Sequence, residues 1–192
     1  LQFLGRQLSA GQVIECAHDL LAVGLAQARG LGEWQQHAAA LDRSARDLRM
    51  LVGRMPAGSR VRWSDPAPGA LAVDAWVDAL GAVHTSCVLA GEALAPVAET
   101  GPDIARLIER LATLAAHADA FLQAREPASV RWLDVSTHLR LIESPLDIAQ
   151  AVQDKLLRTD STEQSQRAWI FTSATLGDDP LLRWFTEPCG LG

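Results

Sequence analysis

Between residues 9 and 122 apolar side chains recur every three or four positions, and that period commits the first two thirds of the chain to helix. Over residues 9–29, Val13, Ile14, Ala17, Leu20, Leu21, Leu25 and Ala28 form one stripe, and Gly30 and Gly32 end it. Over residues 33–52, Trp34, Ala38, Leu41, Ala45 and Leu48 alternate steps of four and three, the spacing of a helix-packing seam. A third stripe runs through Trp76, Leu80, Val83, Cys87 and Leu94. A fourth, opened by Gly101-Pro102, carries Ile104, Leu107, Ile108, Leu111, Leu114, Ala118, Phe121 and Leu122. Helices of these lengths predict an antiparallel bundle.

After Glu126-Pro127 the period changes. Val130, Trp132 and Leu133, then Leu139, Leu141 and Ile142, read as short strands, followed by a helix over residues 146–157. Ser144 suits the amino-terminal cap of that helix, Pro145 its first position, and Asp147 the positive end of its dipole. The expected domains are therefore a helical one at 1–126 and a smaller α/β piece at 127–192. Between the second and third helices, residues 53–69 hold several glycines and prolines around Val61-Arg62-Trp63. They predict a long exposed loop, with room for a short strand.

Residues 168–177, Ala-Trp-Ile-Phe-Thr-Ser-Ala-Thr-Leu-Gly, form an apolar strand that runs straight into a turn of small hydroxyl residues. Trp169, Ile170 and Phe171 read as a strand buried on both faces, and hydroxyls at the carboxyl end of such a strand sit where α/β sheets bind ligands. Ending a strand and capping the next turn is the plainer role for the same residues. Downstream, Asp178-Asp179-Pro180 offers a helix start, Leu181, Leu182, Trp184 and Phe185 a short apolar helix, and residues 187–191 a stop.

The run 169–191, with 139–157 upstream, resembles motif III and its surroundings in the DinG/YoaA group of superfamily 2 DNA helicases, relatives of the eukaryotic XPD helicase. There a buried strand ends in Thr-Ser-Ala-Thr-Leu, and a Ser-Pro-Leu-Asp helix start precedes it. Phe3-Leu4-Gly5 and a helix start at Leu8-Ser9 resemble the segment directly downstream of the DEAH box in that group, although the box itself is not in this sequence. The resemblance implies a piece of an ATP-dependent DNA helicase, reaching from just after the DEAH box, through the helical insertion called the arch, to motif III. Leu1 in place of methionine fits such a piece. The implied fold class is mainly α: an antiparallel helical arch bundle joined to a small α/β part of a RecA-like motor domain. Thr172, Ser173, Ala174 and Thr175 would then couple the ATP state to motion along single-stranded or forked DNA, in repair or replication, in the cytoplasm.

Several functions are not expected of this chain alone. No Gly-x-x-x-x-Gly-Lys-[Ser/Thr] loop occurs, so the chain lacks a cradle for the β and γ phosphates. ATP and Mg2+ are cofactors of the implied parent protein, and the chain by itself is expected to be inactive. The iron–sulfur cluster of many relatives needs four thiolates, whereas Cys16, Cys87 and Cys189 lie far apart, so a cluster is expected in the parent only, if at all. His84 and Cys87 share a helical face, where packing explains them better than a metal. Asp178 and Asp179 are expected to cap a helix rather than to bind one. The most apolar stretch, 70–98, is broken by Asp74, Asp78, His84 and Glu92, so no membrane span is expected.

Charge bears on the DNA reading. The 192 residues carry 17 Lys+Arg against 23 Asp+Glu, a net charge of −6 that repels a phosphate backbone on average. A local exception is Arg43, Arg46, Arg49, Arg54, Arg60 and Arg62, which gather in one region of sequence beside Trp63. They are candidate contacts for single-stranded DNA, through phosphate pairing and base stacking, with a plain solvated face as the alternative. The other function class is a helical protein-interaction module with no nucleic-acid role, which the acidic balance favours and which would take an accessory protein on the arch.

Overall fold

A computed structural model describes residues 5–53, 55, 56, 58–64, 66–69, 71–147, 149, 152, 179, 181–187 and 189. Four long helices dominate these residues: α1 (Ala10–Gln27), α2 (Trp34–Leu51), α3 (Val73–Leu94) and α4 (Pro102–Leu122). Between them run β1 (Arg6–Ser9), β2 (Ser59–Ser64), β3 (Ala67–Pro68), β4 (Ser129–Val135) and β5 (Leu139–Pro145), and α5 (Arg183–Thr186) follows near the carboxyl end. The chain is thus mainly helical with a small antiparallel sheet.

The helical stripes fall where the period puts them, except at Leu25, which is 39% exposed near the end of α1. Trp34, Ala38, Leu41, Ala45 and Leu48 are all buried, as are Trp76, Leu80, Val83, Cys87 and Leu94. Helix α2 packs on α1 and α3, and α3 on α4. Trp34 closes one end of the bundle. Its ring lies so near Gly24 and Gly32 that a Cβ would come within 2.6 and 2.8 Å of it, and its Nε1 donates to the Ala28 carbonyl at 2.7 Å. Between α2 and α3, small residues let the backbones approach: the Ser44 and Ser86 hydroxyls meet at 3.0 Å in the core. The helical stretch Val73–Thr100 is long and apolar enough to cross a membrane by those two measures. Its stripe is instead spent on contacts with α2 and α4.

The five strands form one sheet in the order β1-β5-β4-β2-β3, and each neighbouring pair is antiparallel. Leu8, Leu141, Leu133 and Val61 line up across it on the face that joins the helical core.

The structure answers three of the expectations. The short strand allowed around Val61-Arg62-Trp63 is β2, which pairs with both β3 and β4, so this stretch is part of the sheet rather than mainly an exposed loop. The helix start at Leu8-Ser9 holds, since Ser9 is the N-cap of α1, and the same two residues also close β1. Ser144 and Pro145 stay in β5, opposite Val130 and Ser129, instead of starting a helix. The expected boundary at 126/127 does coincide with the change from α4 to β4. The sheet nevertheless crosses it, since β1 and β2 precede that point and β4 and β5 follow it. Strands β4 and β5 are antiparallel, so no parallel motor-type pair occurs among the described strands.

Candidate nucleic-acid interface

Alternation along β2 sends Arg60 and Arg62 to the sheet face opposite the helical core, and register sets Arg62 beside Trp132 and Arg60 beside Asp134. These side chains open into a concavity of about 1040 Å³ that continues past Arg125, Val130 and Leu146. Arg131 and Trp63 close its base. Among the described residues four arginines and no Asp or Glu line it, in a chain whose net charge is −6.

Of the nearby carboxylates, Asp134 and Glu126 are engaged elsewhere, whereas Glu143 neutralises Arg131 and leaves Arg60 and Arg62 unpaired among the described residues. Asp134, the cross-strand neighbour of Arg60, accepts a hydrogen bond from Arg140 at 2.6 Å. Glu126 pairs with Arg6 at 2.7 Å. Glu143 is buried and accepts from Arg131 at 2.9 Å and from the Ser129 hydroxyl at 2.6 Å. Burial alone would raise the Glu143 pKa, but the Ser129 hydroxyl and the Arg131 guanidinium outweigh it and leave the carboxyl below its ordinary value. Arg131 is saturated from behind as well, donating to the carbonyls of Gln123 at 2.8 Å and Ala120 at 2.9 Å at the end of α4. Arg60 and Arg62 are exposed and form no ion pair among the described residues.

Of the expected DNA contacts, the structure brings only Arg60 and Arg62 together in an open site. Trp63 is a correction. It points into the core, 4% exposed, stacked on Phe121 at 5.5 Å and edge-on to Trp76 at 5.1 Å, with the Arg131 guanidinium 5.3 Å from its ring centre. It offers no free face to a base. Arg46 is held by Asp42 at 2.7 Å one helical turn away. That bond lowers the Asp42 pKa and raises that of Arg46. Arg49 donates to the Gly53 carbonyl at 3.1 Å and the Ser136 carbonyl at 3.4 Å, tying the end of α2 to the β4–β5 turn. Arg43 is exposed on α2, and none of these three lines the concavity. Arg54 lies outside the described residues, as do Thr172, Ser173, Ala174 and Thr175.

The residue that sequence reasoning missed is Trp132, half-buried beside Arg62. Its signal is the alternation of β4, in which Val130 and Trp132 share the parity opposite to Leu133. A charged residue at 131 on the inward parity masks that pattern.

A second concavity, about 530 Å³, separates α1 from α4 and mixes Glu15 and Glu109 with Arg106 and Arg110. His117 lies there, and burial lowers its pKa. Opposed charges leave this groove without a preferred sign of ligand. Among the described residues no three His, Cys, Asp or Glu side chains gather as metal ligands. Asp179 accepts hydrogen bonds from the backbone amides of Leu181 at 3.1 Å and Arg183 at 3.2 Å, which lowers its pKa. These bonds close a turn ahead of α5, whose N-cap position is held by Leu182 without a side-chain cap bond, so the expected capping role of Asp179 is not the one it takes.

Compared with protein families, with curated proteins and with solved structures, the chain matches none.

Proposed function

We propose that this chain is a piece of an ATP-dependent DNA helicase of the DinG/YoaA kind, with its helices serving as the arch and its arginine-lined sheet face turned to the DNA. The observation that carries the reading is a concavity with Arg60 and Arg62 exposed at its lining and no carboxylate among its described lining residues, in an acidic chain. Local positive potential in a cleft attracts a phosphate backbone even when the net charge is negative. The run Thr172-Ser173-Ala174-Thr175 supports it from the sequence side. ATP and Mg2+ bind in the parent protein through motifs not in this sequence, and the small hydroxyls of 172–175 exchange hydrogen-bond partners as the nucleotide changes.

The interaction-module reading draws less support. Among the described residues, exposed large apolar side chains are mostly spread along the chain: Leu25 and Leu31 at the end of α1, Met50 in the last turn of α2 and Met55 beyond it, Val73, Val77 and Leu89 on α3, and Leu181 before α5, while Val130 and Leu146 both lie at the concavity. Single exposed apolar residues of this kind are ordinary on a protein surface.

The test is DNA-stimulated ATPase and unwinding by the parent protein, with Thr172→Ala/Thr175→Ala compared with wild type. Retained ATP binding with collapsed unwinding is the expected result. A parent with no DNA-stimulated ATPase would remove the helicase reading.

A further inference from the structure

We infer that Arg60, Arg62 and Trp132 form a subsite selective for single-stranded nucleic acid, an inference that rests on the helicase reading for its choice of a nucleic-acid ligand. Arg60 and Arg62 are alternate residues of one strand, so their stems leave the same face roughly 6.6 Å apart. Each presents a planar fork of donors suited to phosphate oxygens. Among the described residues their positive charge has no ion-pair partner, because Asp134 is taken by Arg140 and no described carboxylate lines the concavity.

Trp132 decides the form of the ligand. Register sets it directly across from Arg62, where side chains on neighbouring strands stand roughly 4.5–5.5 Å apart at Cβ. Its Nε1 is buried and has no hydrogen-bond partner, so the part of the ring that reaches the concavity is carbon. A carbon surface beside two guanidinium groups reads no base edge, but it stacks on the face of any base. In a duplex those faces are hidden in the helix stack, whereas an unpaired strand can lay a base on Trp132 while its phosphates reach Arg60 and Arg62. Val130, 40% exposed, lies two residues from Trp132 on the same face of β4, and Leu146, 63% exposed, lies further along the sheet, extending the apolar floor away from the ring. An acidic peptide would satisfy the arginines but leave the aromatic floor without a matching planar partner.

The experiment is fluorescence anisotropy of a dye-labelled oligothymidylate of about 16 nucleotides, the upper site size for a small single-strand-binding fold. It is titrated with this 192-residue chain over a range of salt, beside a duplex of equal length. Wild type is expected to bind the single strand at least tenfold more tightly than the duplex. Arg60→Ala/Arg62→Ala is expected to weaken binding tenfold or more and to flatten the plot of log K against log salt by about 1.4, at about 0.7 per phosphate contact. Trp132→Leu is expected to lose about 5- to 150-fold with an unchanged salt slope, the range for one lost stacking contact. Arg43→Ala, outside the concavity, is expected to bind as wild type. Melting curves accompany each variant, and Trp132→Phe, with a smaller loss expected, replaces Trp132→Leu if that protein does not fold.

No binding at low salt, equal affinity for the duplex, or unchanged affinity in the double-arginine variant overturns the subsite. Displacement of the oligonucleotide by polyglutamate at equal charge concentration also overturns it, in favour of an acidic peptide. Failure here alongside intact DNA-stimulated ATPase in the parent leaves the helicase reading standing, and absence of that ATPase removes the reading itself.

Discussion

Arg131 and Glu143 face each other across β4 and β5 at 2.9 Å, their side chains only 2% and 5% exposed. Neither charge is left uncompensated: Arg131 adds two carbonyls from the end of α4, and Glu143 adds the Ser129 hydroxyl. The pair fastens the helical core to the sheet through charged side chains where apolar packing would be usual.

Removing one partner should be costly. Glu143→Gln leaves the Arg131 guanidinium buried without its anion, and a loss of about 3–5 kcal/mol is expected in urea or thermal unfolding at pH 7. The sign of the pH dependence follows from the lowered pKa of Glu143. Its stabilising contribution is full above the unfolded value, 4.5, and is lost as pH falls through the lower folded value. The gap between wild type and Glu143→Gln should therefore narrow below about pH 4.5. A gap that stays constant from pH 7 to pH 3 would contradict this account.

Two glycines inside helices should respond in opposite ways to alanine. At Gly24 a Cβ would meet Trp34 Cγ at 2.6 Å, so Gly24→Ala should destabilise by about 1–3 kcal/mol for overpacking, less roughly 1 kcal/mol for better helix propensity. At Gly81, within α3, a Cβ would meet nothing within 4 Å. Gly81→Ala should stabilise by about 0.5–1 kcal/mol. Paired thermal melts decide both signs.

The thiols should divide by reactivity. Burial pushes the Cys16 pKa up to about 11 and that of Cys87 to about 12, so neither carries appreciable thiolate at pH 8. Cys189 is only half-buried. A chromogenic thiol reagent should modify Cys189 first and reach the other two only on denaturation. Rapid modification of Cys16 or Cys87 in the folded protein, located by peptide mass mapping, would refute the buried assignment.

The Ser44–Ser86 contact predicts non-additivity. Each hydroxyl is 3.0 Å from a carbonyl of its own helix, Leu41 or Val83, as well as from the other hydroxyl. Either single alanine variant should cost about 1 kcal/mol, and the double variant less than the sum of the two, measured in a double-mutant cycle.

How much could be read in advance depended on the range of the interaction involved. The α2 seam was legible because a buried face repeats within seven residues, and all five of its predicted positions are buried. The strands of β4 and β5 were legible as segments, from their β-branched and aromatic content. Which strands pair was not, since Leu8 finds Leu141 and Arg62 finds Trp132 across long separations. That is why β1 went unread and Trp63 read as exposed. In the candidate site, Arg60 and Arg62 were visible as charges, whereas the contribution of Trp132 exists only through cross-strand register. The arginines of α2 looked like a continuation of the same stripe, but local partners on that helix and beyond its end hold two of them.

The antiparallel match of β1 with β5 has a mechanical side. Arg6 lies opposite Glu143 and Ser9 opposite Arg140, so the incoming and outgoing chain attach at the same end of this ladder. Tension applied there would open the pair like a zipper, loading its crosswise hydrogen bonds one after another rather than all at once in shear. Resistance to such a pull would fall first on the rung at Arg6 and Glu143, and β1 could peel away before the load reached α1.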